Sequence, residues 1–390
     1  MKLAIISTHP IQYYAPVFRK ITERGIIDIK VFYTWQVNAA KFDQGFGREI
    51  QWDIPLLEGY NFEFVSNEGN YGRRFWDVKN PTLLSKIMEW KADAVLVFGW
   101  NYLSHLRAMR FFNGKIPVLF RGDSTLLDEK TGLKTIARRL FLSWVYRFVN
   151  YALYVGTNNK NYFLKHGLKS DQLVFVPHAV DNARFGQPNG LFHEEAIAIR
   201  QSLKINPSAI IILYVGKFQV KKDPQTLIHA INKLNAHNIH LLMVGTGELE
   251  DELKALSKEN SNIHFLGFQN QSHMPVIYRL CDVFCLPSTG PGETWGLAVN
   301  EAMASGRPVI VSHKCGCAAD LVKHGYNGFT FEAGNVESLV EVIKQIISNS
   351  ELRKLGGHSF ELIQSYSFDR IAANMETLFI EKLILKNVQQ

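Results

Sequence analysis

Short apolar runs alternate with stretches of helical periodicity along nearly the whole chain, and this limits the fold more than any other feature. Leu3 to Ser7, Ile29 to Tyr33, Ala94 to Phe98, Val118 to Arg121 and Ala152 to Val155 occupy the first half. Ile210 to Val215, His240 to Val244, Ile263 to Leu266, Val283 to Pro287 and Val309 to Val311 occupy the second. Runs of this kind read as strands, and helical patterns between most of them make the strands parallel. The arrangement occurs twice. It predicts an α/β chain of two facing, Rossmann-like, doubly wound parallel-sheet domains, with the ligand site in the cleft beyond the carboxyl ends of the strands.

The turn-rich passage from Pro177 to Gly190 precedes the second set of runs and divides the chain into domains 1–190 and 191–368. Tyr366-Ser-Phe368-Asp369 opens a last helical pattern, so 369–390 is set apart as a C-terminal segment. A chain of 390 residues with 46% hydrophobic content is long enough to bury two cores. It contains no apolar run long enough to span a bilayer. The run from Met1 to Ile6 is too short for a secretory signal and reads as a first strand, which makes the expected location cytoplasmic. Cys281, Cys285, Cys315 and Cys317 lack the spacing of common zinc sites and read as reduced, mostly buried thiols.

The charge is uneven. Residues 1–185 carry 25 Lys and Arg against 16 Asp and Glu, while the rest carry 18 against 20. A basic first half suits an anionic acceptor, an anionic lipid surface or nucleic acid. No nucleic-acid recognition motif is present, and none is expected to bind. The densest basic part, Lys130 to Phe148, repeats cations and large apolar residues at helical spacing. A helix on the inner membrane surface has this pattern, and so has an ordinary amphipathic helix with its aromatic face in the core. The two readings stay open.

The chemistry concentrates in the second half. Glu293 and Glu301 stand eight residues apart in a segment running from Pro287 to Ile310. A loop broken by glycine and proline, one carboxylate, a short apolar helix with a second carboxylate and a stop at Gly306 read as an anion site at a helix start. Backbone amides of Gly296, Leu297 and Ala298 would meet a phosphate there, favoured by the helix dipole. Strand Ile210 to Val215 runs into Gly216-Lys217, followed by Lys221-Lys222-Asp223-Pro224. Glycine permits close backbone approach, and the lysines place positive charge where a leaving diphosphate gathers negative charge. Singly, each of these groups reads as a solvated surface residue. Together they read as a site for a ligand with phosphates and hydroxyls.

The two-glutamate segment resembles the E-x7-E signature of the retaining glycosyltransferases of family 4, whose fold is GT-B. The landmarks Gly245-Thr-Gly247-Glu248, Phe265-Leu-Gly267-Phe268, Tyr278 to Pro287 and Gly316-Cys317-Ala-Ala-Asp320-Leu321 follow the family's order, so the resemblance covers essentially the second domain. It implies that Lys217, in place of the family's arginine, and Lys222 contact the donor phosphates. It implies that Glu293 meets the transferred sugar, that Glu301 hydrogen-bonds the ribose, and that the loop of Gly267 and Phe268 reads the nucleobase. It also implies that the final helix crosses back to the first domain.

The first domain matches less closely. His9, Gln12 and Tyr13 stand in the loop where many relatives have a glycine-rich turn, and this His-Pro-Ile-Gln-Tyr-Tyr segment is similar to a subset acting in bacterial surface-polysaccharide and lipopolysaccharide assembly. The stretch from Gly45 and Gly47 through Trp52 to Tyr60 reads either as an aromatic acceptor-side loop or as a structural connection. Where relatives carry a His-Asp pair, this chain has Arg121-Gly122-Asp123, so Arg121 and Asp123 are expected to contact sugar or acceptor. Trp100 and His105 join them on the acceptor side, although a lone histidine such as His105 is more often an ordinary helix residue.

The resemblance thus implies transfer of a sugar from a nucleotide diphosphate donor, a UDP-sugar before a GDP-sugar, to a glycan or lipid-linked acceptor. No cofactor is expected, and no metal, because the chain has no Asp-x-Asp motif and the lysines neutralise the diphosphate. The rival readings are a nucleotide-sugar epimerase or a phosphorylase on the same scaffold, and a catalytically degenerate subunit or binding protein.

Overall fold

The structure is a computed structural model and describes residues 1–35, 41–43, 48–70, 74–187, 190–348 and 351–384. The chain divides into two compact units. The first comprises Met1–Ala39, Pro55–Pro177 and Phe368–Gln390, and the second Ala40–Ile54 and His178–Ser367.

Strands β1 (Lys2–Ser7) and β2 (Asp28–Tyr33) open unit 1, and β3 (Lys41–Asp43) and β4 (Arg48–Ile50) form a small antiparallel pair counted with unit 2. Then follow β5 (Asn61–Phe64), β6 (Ala94–Phe98), β7 (Val118–Arg121), β8 (Tyr151–Tyr154) and β9 (Leu173–Phe175). The unit 1 sheet has the order β5-β2-β1-β6-β7-β8-β9, and every pairing is parallel. The interior strand β1 is sealed on both faces, with Leu3, Ala4, Ile5 and Ile6 all at 0% exposure. That explains why it reads as an unbroken apolar run rather than an alternating one.

Helix Ala15–Arg24 follows β1; Pro16 stands in its first turn and Gly25, at φ +69°, ends it. Helix Phe368–Leu378 belongs to unit 1. The Arg24 guanidinium donates two 2.6 Å bonds to the Glu376 carboxylate, and Asn374 Nδ2 donates to the Phe175 carbonyl at 2.7 Å.

Unit 2 contains β10 (Ile210–Val215), β11 (Ile239–Val244), β12 (Ile263–Leu266), β13 (Val283–Leu286), β14 (Val309–Ser312) and β15 (Gly328–Phe331). They form a second all-parallel sheet in the order β12-β11-β10-β13-β14-β15. The order reverses direction at β10 and β13, and open α/β sheets bind ligands beyond the strand ends at such a switch point.

The division falls between Pro177 and His178, ahead of the turn-rich passage rather than after it. The passage packs into unit 2. Asn182 Nδ2 donates to the carbonyls of Ile363 and Tyr366, and the Arg184 guanidinium bonds Gln271 twice, at 2.6 and 2.9 Å. Among the described residues no helix is long and apolar enough to cross a membrane.

Candidate active site

The loop after β13 carries Glu293 and is held at both ends. Gly316 N–H donates to the Glu293 carbonyl and Cys317 N–H to the Trp295 carbonyl, each at 3.0 Å. A side chain at Gly316 would bring its Cβ to 1.7 Å from the Thr294 carbonyl oxygen, so the backbones touch there. Trp295 is buried, and its indole N–H donates to Asn300 Oδ1 at 2.8 Å; Asn300 Nδ2 donates in turn to the His178 carbonyl at 3.1 Å. Helix Leu297–Ala304 starts at Gly296, whose φ of +103° lies in the left-handed region and whose Cβ would stand 2.8 Å from Leu286 Cδ2. Only glycine lets the chain turn from loop to helix at this spot.

Glu293 is 9% exposed, and its Oε2 accepts from both the Lys222 ammonium and Ser288 Oγ, the latter at 2.9 Å. Lys222 closes a short turn, Val220–Lys222, after β10. The next residue, Asp223, adopts φ +49° and caps helix Pro224–Leu234 by accepting from Thr226 N and Thr226 Oγ1. Burial is the main influence raising the Asp223 carboxyl above its usual range, and the Thr226 bonds oppose it. Thr289 N–H donates to the Lys221 carbonyl at 3.1 Å, tying the lysine loop to the glutamate loop. The two charges that the sequence placed 71 residues apart thus meet as an ion pair.

Gly216 and Lys217 stand just before that turn. Tyr214 Oη donates to the Lys217 carbonyl at 2.9 Å, and a Cβ at Gly245 would lie 2.0 Å from the Gly216 carbonyl oxygen. The loops after β10 and β11 are therefore packed backbone to backbone. Burial first, then the Glu293 charge, raises the Tyr214 phenol well above its ordinary value, so it stays a donor. Glu301 is buried at 3% exposure, and Tyr278 Oη donates to its Oε2 at 2.9 Å. Leu297 and Ala298 are half-buried at the helix start. Gly267 is exposed after β12, and Phe268 beside it packs against Trp52 with ring centroids 6.3 Å apart. Ser272 and Asn270 bond Asp53 and the Gln51 carbonyl, so residues 51–53 lie along this loop; Gly45 and Gly47 are outside the described residues.

In unit 1, His9 stacks on Trp35 at 5.7 Å and its Nδ1 lies 3.0 Å from Thr8 Oγ1. Gln12 and Tyr13 are half-buried in the turn that follows. Arg121 is 6% exposed, and its guanidinium donates to the carbonyls of Val176 at 2.7 Å and Pro177 at 3.1 Å. It therefore ties β7 to the segment after β9, instead of offering that fork to a sugar. Asp123 is half-buried and acts electrostatically on both Arg121 and Tyr14. Trp100 packs edge-on against Phe141 at 5.3 Å.

His105 is wholly buried. Its Nδ1 faces the carbonyls of Phe98 and Gly99 at 3.0 and 3.1 Å, and Nε2 meets Thr34 Oγ1 at 3.0 Å. Burial pushes its pKa down to about 4, against the pull of those carbonyls. A neutral ring donating from Nδ1 fits this setting, and both nitrogens are engaged within the core. The four cysteines are free and buried, and burial raises all their thiols, those of Cys281 and Cys315 to about 12. None is a ready nucleophile. Among the described residues no three His, Cys, Asp or Glu side chains are grouped to hold a metal.

Ser288 and Tyr278 are the partners that motif reasoning did not assign. Each sits on the carboxylate of Glu293 or Glu301, and only the folded contacts show it.

Residues 195–355, within unit 2, match the family glycosyl transferases group 1. Over this stretch the chain is similar to the group 1 glycosyltransferases. An uncharacterized glycosyltransferase of Methanocaldococcus jannaschii is 31% identical over 199 residues, 50% of each chain. The Escherichia coli UDP-Gal:alpha-D-GlcNAc-diphosphoundecaprenol alpha-1,3-galactosyltransferase is 24% identical over 226 residues, covering 55% of this chain and 56% of that one. The chain spans about half the length of these curated relatives. The Anabaena protein HepE, solved in complex with UDP and glucose, has a TM-score of 0.71 at 18% identity and covers 97% of this chain and 99% of its own. At that identity the likeness is one of fold: two Rossmann-like parallel sheets, the GT-B class.

Proposed function

We propose that the chain is a retaining glycosyltransferase of surface-polysaccharide assembly. It moves a sugar from a nucleoside diphosphate donor, a UDP-sugar before a GDP-sugar, to a glycan or lipid-linked acceptor at the inner face of the cytoplasmic membrane. One observation carries the reading: in a group 1 glycosyltransferase domain, the Lys222–Glu293 pair lies just before a helix whose buried Glu301 is gripped by Tyr278. The choice of UDP is supported by the UDP bound to HepE and by the UDP-Gal donor named for the Escherichia coli relative, whose diphosphoundecaprenol acceptor supports a lipid-linked one here.

In this reading the amides opening helix Leu297–Ala304 and the ammonium groups of Lys217 and Lys222 hold the diphosphate. Glu293 positions the sugar and Glu301 the ribose. An acceptor hydroxyl bonds to the anomeric carbon on the face from which the diphosphate oxygen departs. The electron pair of the broken bond leaves with the diphosphate, and the hydroxyl proton passes to a phosphate oxygen. Fixed positive charge near the departing group lowers the barrier without a metal.

The test is a thermal-shift screen against UDP, GDP, ADP and CMP, with Glu301→Ala alongside. Ligand at a hundred times its dissociation constant adds about 2.7 kcal/mol of stability. A shift with one diphosphate, absent in Glu301→Ala, is expected; no shift with any nucleotide rejects the donor site. The anomeric configuration of the product, read by NMR, tests retention, and an inverted product refutes it.

A further inference from the structure

Helix Leu133–Tyr146 is apolar on two sides. Leu142, Val145 and Tyr146 are buried in the unit 1 core. Leu133, Ile136, Leu140, Phe141 and Trp144 are exposed by 84, 54, 69, 42 and 37%. At helical pitch those five fall within an arc of about 140° on the side away from the core. A run of large side chains on one exposed stripe is unlike the scattered apolar residues of an ordinary surface.

Cations surround the stripe. Lys130, Lys134, Arg138 and Arg147 are exposed on or beside the helix, and Arg110 from the neighbouring helix Leu103–Phe112 lies over the Trp144 ring at 5.7 Å and the Phe148 ring at 6.0 Å. No Asp or Glu occurs between Glu129 and Asp171, while eight Lys and Arg do. Glu129 itself is engaged by Arg139. The helix therefore presents one field of positive charge around an apolar ridge.

We infer that this ridge is the membrane-docking face of the chain: Leu133, Ile136, Leu140, Phe141 and Trp144 enter the headgroup boundary of an anionic bilayer, and the surrounding Lys and Arg bind its phosphates. Charge complementarity selects this occupant. A second copy of the same face would bring two basic fields together, and a neutral apolar partner would leave the cations unmatched. The inference draws on the proposed function only for the use of the contact, which holds the enzyme beside a lipid-linked acceptor; the docking itself needs no turnover.

Flotation of the full chain with vesicles tests it, using phosphatidylcholine alone or mixed with phosphatidylglycerol. The protein is expected to float with the anionic vesicles, to stay behind with the neutral ones, and to be released by salt. Lys134→Glu with Arg138→Glu, and separately Leu140→Ser with Trp144→Ser, each abolish flotation; every cation removed weakens partition about fivefold. All these residues are exposed, and an unchanged UDP thermal shift in both variants certifies the fold. Wild-type protein that stays behind with anionic vesicles overturns the inference, as does a charge variant that floats like wild type. A dimer of the wild type that Leu140→Ser with Trp144→Ser dissociates overturns it in favour of an interface between copies. A failed flotation with a retained UDP shift removes the docking face and leaves the transferase reading intact; loss of the UDP shift alone does the reverse.

Discussion

Replacing Lys222 by methionine removes one half of the ion pair under the signature loop and leaves the Glu293 carboxylate 9% exposed, with Ser288 Oγ at 2.9 Å among its remaining contacts. Breaking a buried pair by deleting one partner costs roughly 3–5 kcal/mol, because the survivor is an uncompensated charge. Lys222 keeps 19% exposure and Ser288 still donates, so the lower end, about 3 kcal/mol, is expected. For a domain the size of unit 2 this lowers the midpoint by roughly 6–12 °C. The double variant Lys222→Met with Glu293→Gln carries no stranded charge and should return to within about 1 kcal/mol of wild type. Donor binding, which in the proposed function uses both charges, should be lost in the single and the double variant alike. The assay is thermal unfolding, read on the transition that UDP raises in the wild type, since a two-unit chain need not melt in one step. Additive losses in the double variant, or single variants within about 1 kcal/mol of wild type, would refute the reasoning. The pair would then be a surface contact without a part in holding the loop.

Tyr278→Phe removes the 2.9 Å hydrogen bond to Glu301 Oε2 and should raise the KM for the donor about tenfold with little change in kcat; an unchanged KM shows that Glu301 is positioned by other contacts. His105 is depressed to about 4 from an ordinary 6.5, so its contribution to stability is fully present above pH 6.5 and is lost as pH falls toward 4. Wild type should therefore lose about 3 kcal/mol more than His105→Gln between pH 7 and pH 4, measured by denaturant unfolding at each pH; parallel pH profiles refute the assignment. Turnover should be undiminished in excess chelator, and a loss restored by Mg2+ or Mn2+ would show that a metal shares the work of the lysines.

The buried centres of both sheets were legible as sequence, whereas of the four edge strands only β12 was. Ala94–Phe98, Val118–Arg121, Ile210–Val215 and Ile263–Leu266 are strands over the residues their apolar runs marked out. The runs that escaped notice are β5, β9 and β15, and all three are edge strands. β5 reads Asn-Phe-Glu-Phe and is half-exposed, while β9 has only three residues, none of them fully buried. A strand with one neighbour needs neither length nor a continuous apolar run, so periodicity carries little signal there. The pair β3 and β4 is as short as β9, at three residues each.

The site divides along a different line. Loop chemistry is local, so Gly296 before a helix and Lys217 after a strand could be read from neighbouring residues alone. Pairing is not local, and it decides what each charge does. Lys222 meets Glu293 across 71 positions, and Arg121 meets the Val176 carbonyl across 55. In sequence the two cations look alike: each lies at or beyond the carboxyl end of a strand. In the fold one faces a carboxylate on the signature loop and keeps 19% exposure, while the other is 6% exposed and spends its fork on backbone carbonyls. A buried arginine with two of its five coplanar donors on backbone carbonyls is held by the protein rather than free to turn toward a sugar. Arg121→Lys separates the two roles. Lysine's point charge cannot span the Val176 and Pro177 carbonyls, so a structural arginine predicts a lower unit 1 midpoint with donor-stimulated turnover per folded molecule unchanged. A normal midpoint with turnover lost would return Arg121 to the acceptor.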